Sequence, residues 1–176
     1  VTALELAMCV EVSMDQLGED EGVFGKRFGV SGLIVVQMTK DYGAREVIGF
    51  DLLDDRRELA AHLGADGVLS PDAASVEDPT LDGAIDCTGL KTSIEFLLSR
   101  TEGSVAVFGV MREDVTFGPQ HWRKGTSLLG YGTHNRYAAE RALNLVQEGA
   151  LDLNVLATHS PIVGHALRSA LCELDY

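Results

Sequence analysis

VFGKRFGVSGLIVVQ, residues 23–37, holds a short apolar start, glycines at 25, 29 and 32, and then an apolar run of helical character. A turn of the form G-x-G-x-x-G between a strand and a helix brings bare backbone and free helix N–H groups against a diphosphate. Gly29 and Gly32 keep the spacing of the last two fingerprint glycines, but the first gap holds Lys26, Arg27 and Phe28 where one residue is usual. Two parses follow. Either Gly25 is the first glycine and the turn carries two extra residues, or the alignment is gap-free and Arg27 takes that place. The plain alternative is a glycine turn that only packs the helix on its sheet.

Outward from this stretch the chain alternates between two periodicities. Residues 4–17 form a helical pattern, with Leu6, Cys9, Val10 and Leu17 near one face. Val23 and Phe24 read as the end of a short strand. A buried helix is expected over 30–42, stopped by Gly43 as a C-cap. A strand, EVIGF, covers 46–50, a helix 54–63 ends before Gly64, and Val68 and Leu69 suggest a short strand. Further strands are expected at 83–86, 104–108 and 127–130, and further helices at 93–99, 137–148 and 164–174. Alternating strands and helices of about ten residues predict an α/β fold: a doubly wound, mostly parallel sheet of six main strands with helices on both faces. Ser70 to Thr80 (SPDAASVEDPT) is a polar loop, and residues 1–176 read as one domain.

The acid after EVIGF sharpens the reading. Asp51 follows Gly32 by 19 residues and stands at the end of the second full strand. A carboxylate about 20 residues beyond such a turn accepts hydrogen bonds from ribose hydroxyls. Strand, glycines, helix, strand and acid come in the order of a dinucleotide site. An acid there repels a 2′-phosphate, so NAD is expected over NADP. Arg56 and Arg57 would soften that preference if they folded back, or else are helix-surface charges. The plain reading of Asp51 is a helix cap.

Composition narrows the classes. The chain is 45% hydrophobic and 23% charged, ordinary for a globular protein, and no run reaches the roughly 18 apolar residues of a membrane span. Its net charge of −13 repels phosphate backbones, so neither nucleic acid nor membrane is expected as a partner. Cys9, Cys87 and Cys172 are few, odd in number and widely spaced, which disfavours a disulfide framework and suits a reducing compartment, the cytoplasm by default. The chain begins at Val1, as a processed product or a part of a longer polypeptide would.

Several stretches together resemble the cofactor-binding domain of the medium-chain dehydrogenase/reductase family, the zinc-type alcohol and polyol dehydrogenases. They are GVSGLIVVQMTKDYGAREVIGFD, RRELAAHLGADGVLSP, AIDCTG, GSVAVFGV and ERALNLVQEGALDL. The resemblance covers residues 23 to about 175 and implies a Rossmann sheet, NAD as cofactor and an alcohol or polyol as substrate. Carried over position by position, the turn residues Gly25, Arg27, Phe28, Gly29, Val30 and Gly32 and the acid Asp51, with Arg56 beside it, become cofactor contacts. Cys87, Thr88 and Gly89 match a loop lining the adenosine side. Phe108, Gly109 and Val110 match the strand end near the nicotinamide, and Arg136 falls near a phosphate-proximal position.

The same resemblance implies zinc in the intact enzyme, held mainly outside this chain by an N-terminal substrate domain. Residues 1–17 and 155–176 are expected to belong to that catalytic domain or to pack against it. TALELAMC resembles the stretch where polyol-type relatives place a glutamate near the zinc, which makes Glu5 the one metal candidate here. A homodimer or homotetramer, joined through the edge strand near 127–131, is also implied. Two other readings stay open: a non-catalytic nucleotide-binding or interaction module that retains the fold, and a zinc-free, quinone-reductase-like enzyme, usually NADPH-linked, against which Asp51 argues.

The remaining candidates carry less. His62, His121, His134, His159 and His165 show no H-E-x-x-H or similar chelating pattern. No G-x-S-x-G elbow is present, so nothing supports a serine hydrolase. Trp122 is expected to pack within the loop before the sixth strand.

Overall fold

The computed structural model describes residues 2–20, 22–72, 80–131 and 135–156. In chain order the elements are α1 (Thr2–Asp20), β1 (Arg27–Ser31), α2 (Leu33–Asp41), β2 (Glu46–Phe50), α3 (Asp54–His62), β3 (Gly67–Leu69), β4 (Leu81–Asp86), α4 (Lys91–Arg100), β5 (Thr101–Val107), α5 (Pro119–Lys124), β6 (Ser127–Gly130) and α6 (Arg136–Gln147). A single 3-10 turn, Asn154–Leu156, follows. The expected helix at 164–174 lies outside the described residues.

The strands form one six-stranded sheet in the order β3-β2-β1-β4-β5-β6, and every pairing is parallel. Parallel strands need both faces covered, which is why their sequences are nearly all apolar. Phe28 and Val30 of β1, Val47 of β2 and Ile85 of β4 join the core beneath α1, α2 and α6, through Ala7, Val10, Met14, Val35, Met38, Ala142 and Leu145. On the opposite face Phe50, Leu81, Ala84, Val105 and Val107 pack against Ile94, Leu97 and Leu98 of α4. The strand order turns back between β1 and β4, and ligands of such sheets bind beyond the carboxyl ends of the strands at that point.

The first strand is not where the glycine spacing puts it. Val23 and Phe24 lie in a turn, Phe24 with 84% of its surface exposed, and the strand runs over Arg27–Ser31. The reason is pairing. β1 sits between two neighbours, aligning Arg27 to Val30 with Glu46 to Gly49 on one side and Phe28 to Ser31 with Gly83 to Asp86 on the other. A central strand left unformed would strand N–H and C=O groups on both neighbours, and each buried unpaired group costs about 1–3 kcal/mol. The only alternating apolar residues available are Phe28 and Val30, so the fingerprint region itself becomes strand. The helix then starts at Leu33, three residues later than the expected Val30.

Gly29 is thereby buried mid-strand. A Cβ there would overlap Leu81 Cδ1 and lie 3.1 Å from Phe50 Cε2, so this glycine makes room for side chains from the α4 face. Gly25, at φ 73°, turns the chain at the other end of β1, where its N–H donates to the Gly43 carbonyl at 2.9 Å.

A short helix was not anticipated from the sequence: α5, opened by Pro119 and closed by Gly125 at φ 73°. Its Trp122 does not pack inside a loop but stands 77% exposed on the helix surface, because the apolar side of this turn is supplied by His121 against Phe117, 5.2 Å between ring centres.

Candidate nucleotide crevice

Where β1 and β2 end, a crevice opens between α2 and α3. It is a shallow groove lined by Val30, Gly32, Leu33, Val36, Gly49, Phe50, Asp51, Arg56, Arg57 and Ala60. Of the residues expected at the cofactor, Val30, Gly32, Asp51 and Arg56 meet here. Asp51 is fixed by its surroundings: one carboxylate oxygen accepts the Leu53 N–H at 3.0 Å, and the Arg57 guanidinium donates to the Asp51 carbonyl at 2.6 Å. Arg57 also pairs with Asp54 on its own helix, and Arg56 stands exposed at the mouth. The Asp51 side chain remains half-exposed, a carboxylate able to accept hydrogen bonds from a sugar.

Beside it, the ends of β1 and β4 are tied together. Asp86 is fully buried at the end of β4, and its carboxylate accepts five hydrogen bonds: from the hydroxyls of Ser31 (3.0 Å), Thr88 (2.8 Å) and Ser93 (2.6 Å), and from the N–H groups of Thr88 (3.1 Å) and Gly89 (2.7 Å). The Cys87 N–H donates across to the Ser31 carbonyl at 3.2 Å. Cys87 itself lies against Gly32. Burial of the thiol, with the Asp86 charge adding to it, pushes the Cys87 pKa well above its usual range and favours the neutral form. One turn further, Gly89 and Gly109 touch backbone to backbone, and a Cβ on Gly109 would overlap Thr88 and Gly89. Phe108 stacks edge-on to Tyr131 at 5.9 Å, and Val110 is 77% exposed. Cys87, Thr88, Gly89, Phe108 and Gly109 thus form one contiguous rim, with Val110 at its solvent side.

Other expected contacts are not brought here. Arg27 lies at the amino end of β1, three residues or about 10 Å along the strand from Val30 of the crevice, and Gly25 lies beyond it. Arg27 pairs there with Glu46 at 2.5 Å, and its N–H donates to Asp82 at 2.7 Å. Phe28 is core, its ring filling the space over Gly83, where a Cβ would come within 2.7 Å of Phe28 Cε1. Arg136, in the first turn of α6, reaches into solvent and pairs with Glu140 at 2.6 Å. Glu5 is exposed on α1, and among the described residues no three His, Cys, Asp or Glu side chains converge as a metal site. The described residues therefore do not by themselves make up a zinc site.

Arg57 was read from the sequence only as a cation that softens the cofactor preference or a helix-surface charge, and the Ser31–Asp86 link was not singled out. Arg57 had a signal, a cation six residues past the strand-end acid. Ser31 and Asp86 had none, being 55 positions apart.

Residues 31–148 match the sequence model of a family described as zinc-binding dehydrogenase. The chain is 28% identical over 175 residues to alcohol dehydrogenase 1 of Trifolium repens, covering 88% of this chain and 45% of that protein. It is 27% identical over 168 residues to L-threonine 3-dehydrogenase of Pseudoalteromonas translucida (strain TAC 125), covering 87% and 48%. Its fold is similar to that of acetophenone reductase from Geotrichum candidum NBRC 4597, solved in complex with NAD, with a TM-score of 0.69, 22% identity, and coverage of 82% of this chain and 44% of that one. The chain spans a little under half the length of these relatives.

Proposed function

This chain belongs to the zinc-binding dehydrogenase family, and we propose that it is the NAD-binding portion of a zinc-type alcohol or polyol dehydrogenase. The observation that carries this reading is Asp51, held at the end of β2 beside the crevice between α2 and α3. NAD, when bound, supplies the acceptor for hydride from a carbinol carbon.

The chain's own residues bind and orient. The Asp51 carboxylate accepts from the ribose hydroxyls, and the Arg57 bond to its carbonyl fixes the loop that presents it. Gly49 and Ala60 keep the crevice floor low, and Leu33 and Val36 line its α2 side. The rim at Cys87 to Gly89 and Phe108 to Val110 bounds the space toward the substrate. A 2′-phosphate would meet the Asp51 charge, so NAD is the preferred nucleotide.

Zinc and the residues that hold it are assigned mainly outside this chain, in a catalytic domain; α1 itself packs into the core beside α2 and α6, and residues 157–176 lie outside the described residues. Exposed Leu128 on edge strand β6 suits pairing with a second copy, as a homodimer or homotetramer. The cytoplasm is the proposed location, in keeping with free Cys9 and Cys87.

Calorimetric titration with NADH and NADPH tests the reading. NADH is expected to bind at least about ten-fold tighter, a difference of about 1.4 kcal/mol, and Asp51→Ala to abolish the preference. Equal or reversed affinities in the unaltered chain would remove Asp51 from the site.

A further inference from the structure

We infer that Asp54 is a positioning residue for nucleotide choice: it ties down the Arg57 guanidinium, keeps it from a 2′-phosphate, and so reinforces the preference for NAD that Asp51 sets. This rests on the nucleotide reading above and adds to it a residue that does not itself line the crevice.

Two devices discriminate between the nucleotides at the end of the second strand of such a sheet. An acid there receives the ribose 2′-hydroxyl, and a nearby arginine accommodates a 2′-phosphate. This chain carries both. Arg57 stands six residues past Asp51, in the first turn of α3, and lines the same crevice. Its guanidinium comes within 2.6 Å of the carbonyl of Asp51, the residue whose carboxylate would receive the ribose. By position and charge Arg57 is suited to a 2′-phosphate.

The bonds it makes turn it to another use. One terminal nitrogen donates to the Asp51 carbonyl and the other to the Asp54 carboxylate, three residues back on the same helix face. The Arg57 side chain is 19% exposed and that of Asp54 87%, so the acid holds the guanidinium from its solvent side. Of the two anchors the carboxylate is the stronger, since a hydrogen bond between ionised groups is about twice as strong as a neutral one. Both terminal nitrogens are thus tied down, and the positive charge is offset before any ligand arrives. Asp55 supplies an internal comparison. It is exposed and equally charged, but its carboxylate accepts the backbone N–H of Arg56 at 2.9 Å.

Calorimetric titration of the chain with NADH and NADPH, repeated on Asp54→Ala and Asp55→Ala, tests the inference. Asp54→Ala is expected to tighten NADPH about ten-fold, the scale of one charge-assisted hydrogen bond, and to leave NADH within about three-fold. Asp55→Ala removes an equal charge without releasing Arg57, and is expected to move the ratio of the two affinities by less than about three-fold. An unchanged ratio in Asp54→Ala, or an equal gain in both variants, would overturn this inference while leaving the nucleotide reading intact. An unaltered chain that bound neither nucleotide, or both equally, would overturn both.

Discussion

Gly32 and Cys87 meet where β1 and β4 end: a Cβ built on Gly32 would lie 3.0 Å from the Cys87 Cβ and 3.1 Å from its Sγ. Gly32 also sits at φ 149°, a backbone conformation that side chains rarely adopt. Gly32→Ala should therefore destabilise the chain by about 1–3 kcal/mol, read as a lower urea midpoint at unchanged slope. Gly25→Ala offers a contrast, since a Cβ there meets nothing within 4 Å and only its φ of 73° resists. A loss at Gly32 no larger than at Gly25 would show that the contact with Cys87 carries no weight.

Asp86 anchors the turn that follows it. Its Oδ2 accepts two backbone N–H groups that cannot rotate away, and its Oδ1 accepts three hydroxyls that can. Asparagine can keep its oxygen on the N–H pair and turn its amide toward the hydroxyls, whereas alanine leaves every donor unpaired. Asp86→Ala is expected to cost about 3–5 kcal/mol and Asp86→Asn about 1–3 kcal/mol. Chemical denaturation of both variants checks the order; equal costs would mean the N–H pair finds another acceptor.

Glu11 gives the chain a pH dependence of its own. Its side chain is fully buried between α1, α2 and α6, with one oxygen on the Tyr42 hydroxyl at 2.5 Å and 3.7 Å from the Arg141 guanidinium, and the other without a hydrogen-bond partner. Burial pushes its pKa up, and the nearby charges of Asp15 and Asp41 add to that; the Tyr42 bond and Arg141 pull the other way. The folded chain thus holds this proton more firmly than the unfolded chain does. The resulting stability is complete below the ordinary value of 4.5 and is lost as pH rises through the raised one. Glu11→Gln keeps an acceptor for Tyr42 and removes the titration. The gap in melting temperature between the two proteins should widen in favour of the variant as pH rises from about 4.5; parallel curves would contradict the assignment.

Much of this was legible in the amino-acid order. EVIGF ending in Asp51 reads as a buried strand with a terminal acid because a parallel strand must be apolar on both faces, and the structure places both as expected. The alternation of strands with helices near ten residues likewise gave the doubly wound sheet. The glycine turn misled for a physical reason. A motif records local spacing, but β1 had to satisfy two neighbours at once, and that non-local demand pulled Phe28, Gly29 and Ser31 out of the turn. The Ser31–Asp86 bond could not be read at all, since its partners become adjacent only once β4 pairs with β1. Short α5 could have been found from Pro119 at its first turn and Gly125 at its end, the usual bracketing pair.

The most direct test of the central claim is a backbone amide NMR titration with NADH. Resonances of Gly49 to Asp51, Arg56 and Arg57 are predicted to shift in proportion to ligand, and those of the turn at Val23 to Lys26 to stay fixed. Shifts centred on Val23 to Lys26, or none at Asp51, would contradict it.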